Sequence, residues 1–251
     1  MLPVPRIQLT LAYDGTDFSG WQLQPRDRTV QGELEKALGE ILGSPPRVHG
    51  SGRTDAGVHA MAQVAHFDCA DDRADIPWQR ALNSLLPKDV RVIRSARVVD
   101  DFHSRYSAQA KTYAYVLWHP REYCLPQRRR FVWDCGTVDF SLMEAGAAVL
   151  LGQHDFSAFQ NVGTPVKSTV RTITDISRHS GVTEHESLWQ FTADGFLKQM
   201  VRNIMGCLVA CGRGRLSPDD VRQLLESGDR KAAPATAPPQ GLSLISVKYS
   251  L

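Results

Sequence analysis

The chain has 251 residues, 42% of them hydrophobic and 22% charged, and a formal charge of +2. That length suits one large or two small globular domains with an ample core, and a charge so near neutral does not by itself establish a polyanion partner. Arginines outnumber lysines, 22 to 7. Guanidinium suits phosphate and carboxylate forks, but a GC-rich genome gives the same bias. The five cysteines (Cys69, Cys124, Cys135, Cys207, Cys211) are odd in number and include no Cys-x-x-Cys pair. Cys207 and Cys211 can share a helix face, yet no His follows at ligand spacing, so neither a disulfide frame nor a zinc site is indicated. Met1-Leu2-Pro3-Val4-Pro5 has no apolar signal core, and no run approaches the ~20 apolar residues of a membrane span. The expectation is a cytoplasmic protein with no metal and no membrane partner.

Ile7, Leu9, Leu11 and Tyr13 alternate with polar residues, which predicts a half-buried strand. The next segment carries Asp14-Gly15-Thr16 and Gly20-Trp21-Gln22. A phosphotransferase reading of Asp-Gly-Thr needs an aspartate two places earlier, where Ala12 stands, and is rejected. Val30, Leu34, Ala37, Leu38, Ile41 and Leu42 recur at helical spacing, and Gly43 with Pro45-Pro46 ends that helix. A strand follows through Ala62, Val64 and Phe67. A helix from Asp75-Ile76-Pro77 to Pro87 and a strand over Val90–Val99 complete a first half of order strand, helix, strand, helix, strand.

The second half repeats that plan. Tyr113, Tyr115 and Leu117 alternate in a strand, Leu142 to Leu151 forms a helix closed by Gly152, and strands lie near Val170–Ile176 and Leu188–Ala193. Leu197, Met200, Val201, Ile204, Met205, Leu208 and Val209 mark a strongly apolar helix. Ser217-Pro218-Asp219-Asp220 is a helix start with a capping hydroxyl, an early proline and carboxylates at the positive dipole end. Lys231 to Gln240 reads as a loop and Leu242 to Tyr249 as the last strand. The fold class is therefore α+β with pseudo-symmetric halves, residues 1–104 and 105–251.

Between the first helix and its following strand lies Gly50-Ser51-Gly52-Arg53-Thr54-Asp55-Ala56-Gly57-Val58-His59. Three glycines in ten positions let a backbone turn tightly, take positive φ and approach a ligand closely. Arg53 and Asp55 then sit on a structured turn where a strand begins, a place that often presents functional side chains. A surface turn with a local ion pair is the bland alternative, and such pairs contribute little.

The string GRTDAGVH resembles the signature of the TruA family of tRNA pseudouridine synthases. The resemblance continues through Tyr13-Asp14-Gly15-Thr16 with Gly20-Trp21-Gln22, Asp101-Phe102-His103-Ser104-Arg105, Lys111-Thr112-Tyr113, Met200-Val201-Arg202-Asn203-Ile204 and Gly241-Leu242-Ser243-Leu244. It covers nearly the whole chain in the family's order. It implies largely antiparallel sheets with helices on one face, joined into one long sheet with a basic RNA-binding cleft between the halves. It also implies a homodimer acting on uridines 38, 39 and 40 in the anticodon stem-loop of tRNA.

Converting uridine to pseudouridine breaks the bond from ribose to N1 and remakes it to C5, without redox chemistry, so no cofactor is expected. It needs a carboxylate held away from water and a target base removed from its stack. The resemblance makes Asp55 the essential nucleophilic aspartate, with attack on ribose or base left open. It has Arg53 insert where the flipped base had been, Arg202 pair with the aspartate, Tyr113 stack on the uracil and Leu242 wall the pocket. The residues alone allow plainer roles: a guanidinium that keeps Asp55 ionised, a solvated helix arginine at 202, and sheet packing for Tyr113 and Tyr115. His59 and His103 are read as structural, and Asn203 is given no role. Arg128-Arg129-Arg130, Arg213 and Arg215 are either phosphate contacts or solvated faces. A silent RNA-binding protein on the same scaffold is disfavoured, because binding phosphates does not need Asp55. A dinucleotide site is disfavoured because Asp55 occupies the third glycine position of that fingerprint.

Overall fold

Ile7, Leu9, Leu11 and Tyr13 are at most 5% exposed, and the residues between them face outward less completely buried. Each such buried side chain contributes roughly 1.5–3 kcal/mol, so the alternation fixes which face of this strand meets the core. The computed structural model describes residues 5–119, 123–163 and 165–250. Residues 1–4 of the N-terminal stretch read above lie outside these.

In chain order the elements are β1 (Arg6–Tyr13), α1 (Val30–Leu42), β2 (His49–Gly50), β3 (His59–Asp68), α2 (Trp78–Leu85), β4 (Val90–Val98), β5 (Ala108–Trp118), β6 (Trp133–Asp134), α3 (Phe140–Val149), β7 (Gly152–Asp155), β8 (Val170–Ser180), β9 (Glu186–Ala193), α4 (Met200–Gly212), α5 (Pro218–Ser227) and β10 (Leu242–Tyr249). This is an α+β protein whose strands pair mostly antiparallel. The chain forms two compact units, residues 1–109 with Leu244–Leu251, and Ala110–Ser243. Most of β10 thus belongs to the first unit.

In the first unit the strand order is β4-β1-β3-β10, with β2 on β3. β1 sets Ile7 opposite Phe67 and Leu9 opposite Ala65. Thr29 caps α1 by accepting from the Gly32 amide, and Gly43, at φ 85°, ends it in the left-handed conformation. Val30, Leu34 and Leu38 are fully buried, and the Trp78 ring of α2 meets Phe67 edge-on at 5.0 Å.

In the second unit the order is β5-β9-β8-β7, with β6 parallel to β5. α3 begins at Phe140, two residues before the sequence reading, because Asp139 caps it by accepting from the Ser141 and Leu142 amides. Gly152 does not close this helix but opens β7 at φ 96°. α4 opens at Met200 rather than at Leu197, after Gln199 turns the backbone to φ 61°. α5 carries the full capping box, Ser217 with Asp220.

Candidate active site

The glycine-rich loop spans from β2 into β3 and is held almost residue by residue. Ser51 N–H donates to the Val64 carbonyl (2.7 Å), and its hydroxyl donates to Gln63 Oε1 (2.7 Å). Gln63 Nε2 donates to the Gly52 carbonyl at 2.9 Å. The Thr54 hydroxyl meets the Tyr13 hydroxyl at 2.9 Å, and the Thr54 carbonyl accepts from Trp21 N–H at 3.1 Å. The Asp55 carbonyl accepts from Val58 N–H (3.1 Å), closing a four-residue turn whose third position, Gly57, has φ 77°.

The two short motifs after β1 are the bed on which this loop lies. A Cβ on Gly15 would fall 2.0 Å from the Val58 carbonyl oxygen, and one on Gly50 would fall 2.6 Å from the Trp21 indole. Asp14 Oδ1 accepts from the Thr16 amide and hydroxyl, and the Gly15 amide donates to His59 Nδ1 at 3.0 Å. His59 is 5% exposed and serves this turn, in line with a structural role. Burial pushes the Tyr13 hydroxyl up to about 12, opposed by its bonds with Thr54 and Gln63. It therefore stays protonated as a hydrogen-bonding post.

With the backbone so fixed, the Asp55 side chain is half-buried while Arg53 is exposed.

Tyr113, Arg202 and Leu242 all belong to the second unit. Tyr113 is 8% exposed, lies opposite Phe191 in the β5–β9 ladder, and meets the Phe196 ring edge-on at 5.2 Å. Its same-face neighbour Tyr115 is fully buried and donates to the Pro238 carbonyl at 2.6 Å. Burial raises the Tyr115 hydroxyl, partly offset by the charge of Arg202. Half-buried Arg202, on the first turn of α4, donates from Nε to the Ala237 carbonyl at 2.8 Å. Leu242 is 5% exposed, and Gly241 beside it allows close approach to the Tyr115 ring.

Other charged candidates separate by what they touch. Arg128 is committed to the buried Glu186 carboxylate through Nε and Nη2, which makes it structural. Arg213 donates to the Cys135 carbonyl, whereas Arg129 and Arg215 are exposed. His103 accepts at Nδ1 from the Arg105 and Tyr106 amides. None of the five cysteines forms a disulfide, and no group of three or more His, Cys, Asp or Glu among the described residues is arranged to hold a metal. No helix among the described residues is long and apolar enough to cross a membrane. Sequence reasoning missed Tyr13, Thr54 and Gln63 as the loop's supports; the signal available was a glutamine, now 0% exposed, inside an apolar strand.

A family profile described as tRNA pseudouridine synthase matches residues 10–107 and 147–250, a span that includes Arg53, Asp55, Arg202 and Leu242 but not Tyr113. The chain is 58% identical over 244 residues to tRNA pseudouridine synthase A of Maridesulfovibrio salexigens, covering 97% of this chain and 90% of that protein. It is 56% identical to the protein of the same name from Solidesulfovibrio magneticus (97% and 91% covered), and 42% identical to that of Coxiella burnetii (97% and 93%).

Proposed function

The chain belongs to the tRNA pseudouridine synthase family, and we propose that it isomerises uridines 38, 39 and 40 in the anticodon stem-loop, with Asp55 as the nucleophile. The activity of the family is isomerisation of uridine to pseudouridine in tRNA, so the enzyme is an isomerase. The finer assignments rest chiefly on one observation: a half-buried carboxylate on a loop whose backbone is pinned on both sides of it. A carboxylate that must attack a sugar or base gains most from a fixed position, since orientation is then settled before reaction.

In this reading the Asp55 carboxylate attacks as the bond from C1′ to N1 breaks. The freed uracil turns, C5 bonds to C1′ while the bond made by Asp55 breaks and restores its carboxylate, and the proton on C5 leaves while N1 gains one. Tyr113 offers its ring to the flipped base and Leu242 an apolar wall. Arg202 supplies a counter-charge for the reacting carboxylate. Arg53, exposed at the loop tip, is available to fill the space the base vacates. The enzyme works in the cytoplasm as a homodimer and uses no cofactor.

The test is to map pseudouridine in bulk tRNA from cells lacking the protein. Loss confined to positions 38, 39 and 40, restored by the parent gene and not by an Asp55→Asn copy, is the expected result. Intact modification at those positions, with loss elsewhere in tRNA, would overturn the site assignment. Light scattering of the purified protein at a mass near twice that of one chain would support the dimer.

A further inference from the structure

Beside Arg202 on α4 stands Asn203, 1% exposed, whose side chain joins a closed polar network within the second unit. Its Nδ2 donates to the Phe159 carbonyl at 2.7 Å. Its Oδ1 accepts from the Thr236 hydroxyl at 2.7 Å and from Arg230 Nη2 at 3.0 Å. Arg230 Nη2 also donates to Thr236 Oγ1 (2.9 Å), and Nη1 donates to the carbonyls of Ala233 (3.2 Å) and Pro234 (3.1 Å). One guanidinium thus gathers three points of the loop between α5 and β10 and ties them to a single amide on α4. The planar fork of arginine suits this, because its donors leave in fixed directions.

The loop is drawn onto the helix backbone itself. A Cβ on Gly206 would come within 2.2 Å of the Ala235 carbonyl oxygen, so a glycine is required there. Just beyond, Ala237 and Arg202 exchange bonds: the Ala237 amide donates to the Arg202 carbonyl (3.1 Å), and Arg202 Nε donates to the Ala237 carbonyl (2.8 Å). Ala237 is 1% exposed, so this carbonyl has little room to move. Fixing the direction of Nε–H fixes the plane of the whole guanidinium.

We propose that Arg230, Asn203 and Thr236 are positioning residues for Arg202, setting the Ala237 carbonyl on α4 and through it the plane of the Arg202 guanidinium. The inference rests on the reading that Arg202 serves the reaction. A network that only secured the loop would affect stability without altering turnover per folded molecule. Thr236 is the informative position, because valine keeps its shape and removes the hydroxyl that bridges Arg230 to Asn203.

The experiment compares Thr236→Val, Thr236→Ser, Arg202→Met and the Thr236→Val/Arg202→Met double variant, using single-turnover rates on tRNA at equal folded fraction. Thr236→Val is expected to lower the rate about tenfold to a hundredfold with KM little changed, since small misplacements of a reacting group cost that much. Thr236→Ser is expected to recover the parent rate. In the Arg202→Met background, Thr236→Val should cost nothing more, because it acts through the residue already removed. Independent, multiplying losses, or a Thr236→Val enzyme that melts lower but turns over normally, would overturn the inference. An Arg202→Met enzyme with the parent rate would instead remove Arg202 from the reaction, a failure seen without reference to Thr236. If Thr236→Val does not fold, Arg230→Lys, which cannot span the fork, takes its place in the same comparison.

Discussion

Gly20 lies so close to Thr54 that a Cβ at position 20 would stand 2.6 Å from the Thr54 carbonyl oxygen. The same carbonyl accepts the Trp21 amide at 3.1 Å, and Gly20 itself holds φ at 94°. Gly20→Ala therefore meets a left-handed backbone and a collision with the residue next to Asp55. Destabilisation of about 2–4 kcal/mol is expected, together with a loss of turnover larger than the unfolded fraction explains. Urea unfolding and single-turnover assays check both; a variant as stable and active as the parent would show that the loop is not registered on this segment.

Asp55→Asn separates chemistry from structure. Asparagine keeps the shape and hydrogen-bonding reach but lacks the anionic oxygen, so pseudouridine formation should be abolished with folding retained. Affinity for tRNA should persist or rise, because a negative charge facing phosphates has been removed. Tritium release from C5-labelled uridine gives the rate, and a melting curve gives the folded fraction. Turnover within about tenfold of the parent, against the ~10⁴-fold or greater loss usual for a missing nucleophile, would end the assignment.

Much of this fold was legible because it repeats locally. The alternation in β1, the apolar stripe of α1 and the capped start of α5 carry their own local signals, and the structure places them where these patterns did. Leu197 misled because it extends the apolar spacing of α4 backwards, while the turn at Gln199 comes from backbone geometry that side-chain type does not announce. β2 and β6, two residues each, are too short to show a period. The site divides the same way. Its loop was visible as a glycine-dense motif, but its supports were not, since Tyr13 meets Thr54 across 41 residues and Gln63 across 50.

Tyr113 is placed to test stacking against packing. If its ring receives the flipped uracil, Tyr113→Phe should keep tRNA affinity, and Tyr113→Leu should lose about 1–3 kcal/mol of stacking. A Phe variant that binds normally but turns over slowly would assign the hydroxyl to proton transfer. Because the ring also meets Phe196 edge-on, some stability will be lost with Leu, so rates are compared per folded molecule. Full activity in the Leu variant would return Tyr113 to sheet packing.

His66 should make the first unit acid-sensitive. The ring is 2% exposed, lies 5.1 Å from His49 and 4.7 Å from His103, and holds Ser104 at Nδ1. Burial chiefly, then the neighbouring His103, Arg6 and His49, lower its pKa from 6.5 to about 4, with Asp68 opposing. The unfolded chain therefore takes up a proton below about pH 6.5 that the folded chain refuses until about pH 4. Stability from this group is fully present above that window and falls as the pH drops through it. Between about pH 7 and pH 5 the loss should be roughly 1–2 kcal/mol. His103 is lowered by the same kind of burial and adds in the same direction. His66→Gln keeps an acceptor for Ser104 but cannot titrate, so its stability at pH 7 may be compared directly with its stability at pH 5 by urea unfolding. A shallower pH dependence than the parent is expected; the same slope in both proteins would mean that the proton is taken up elsewhere.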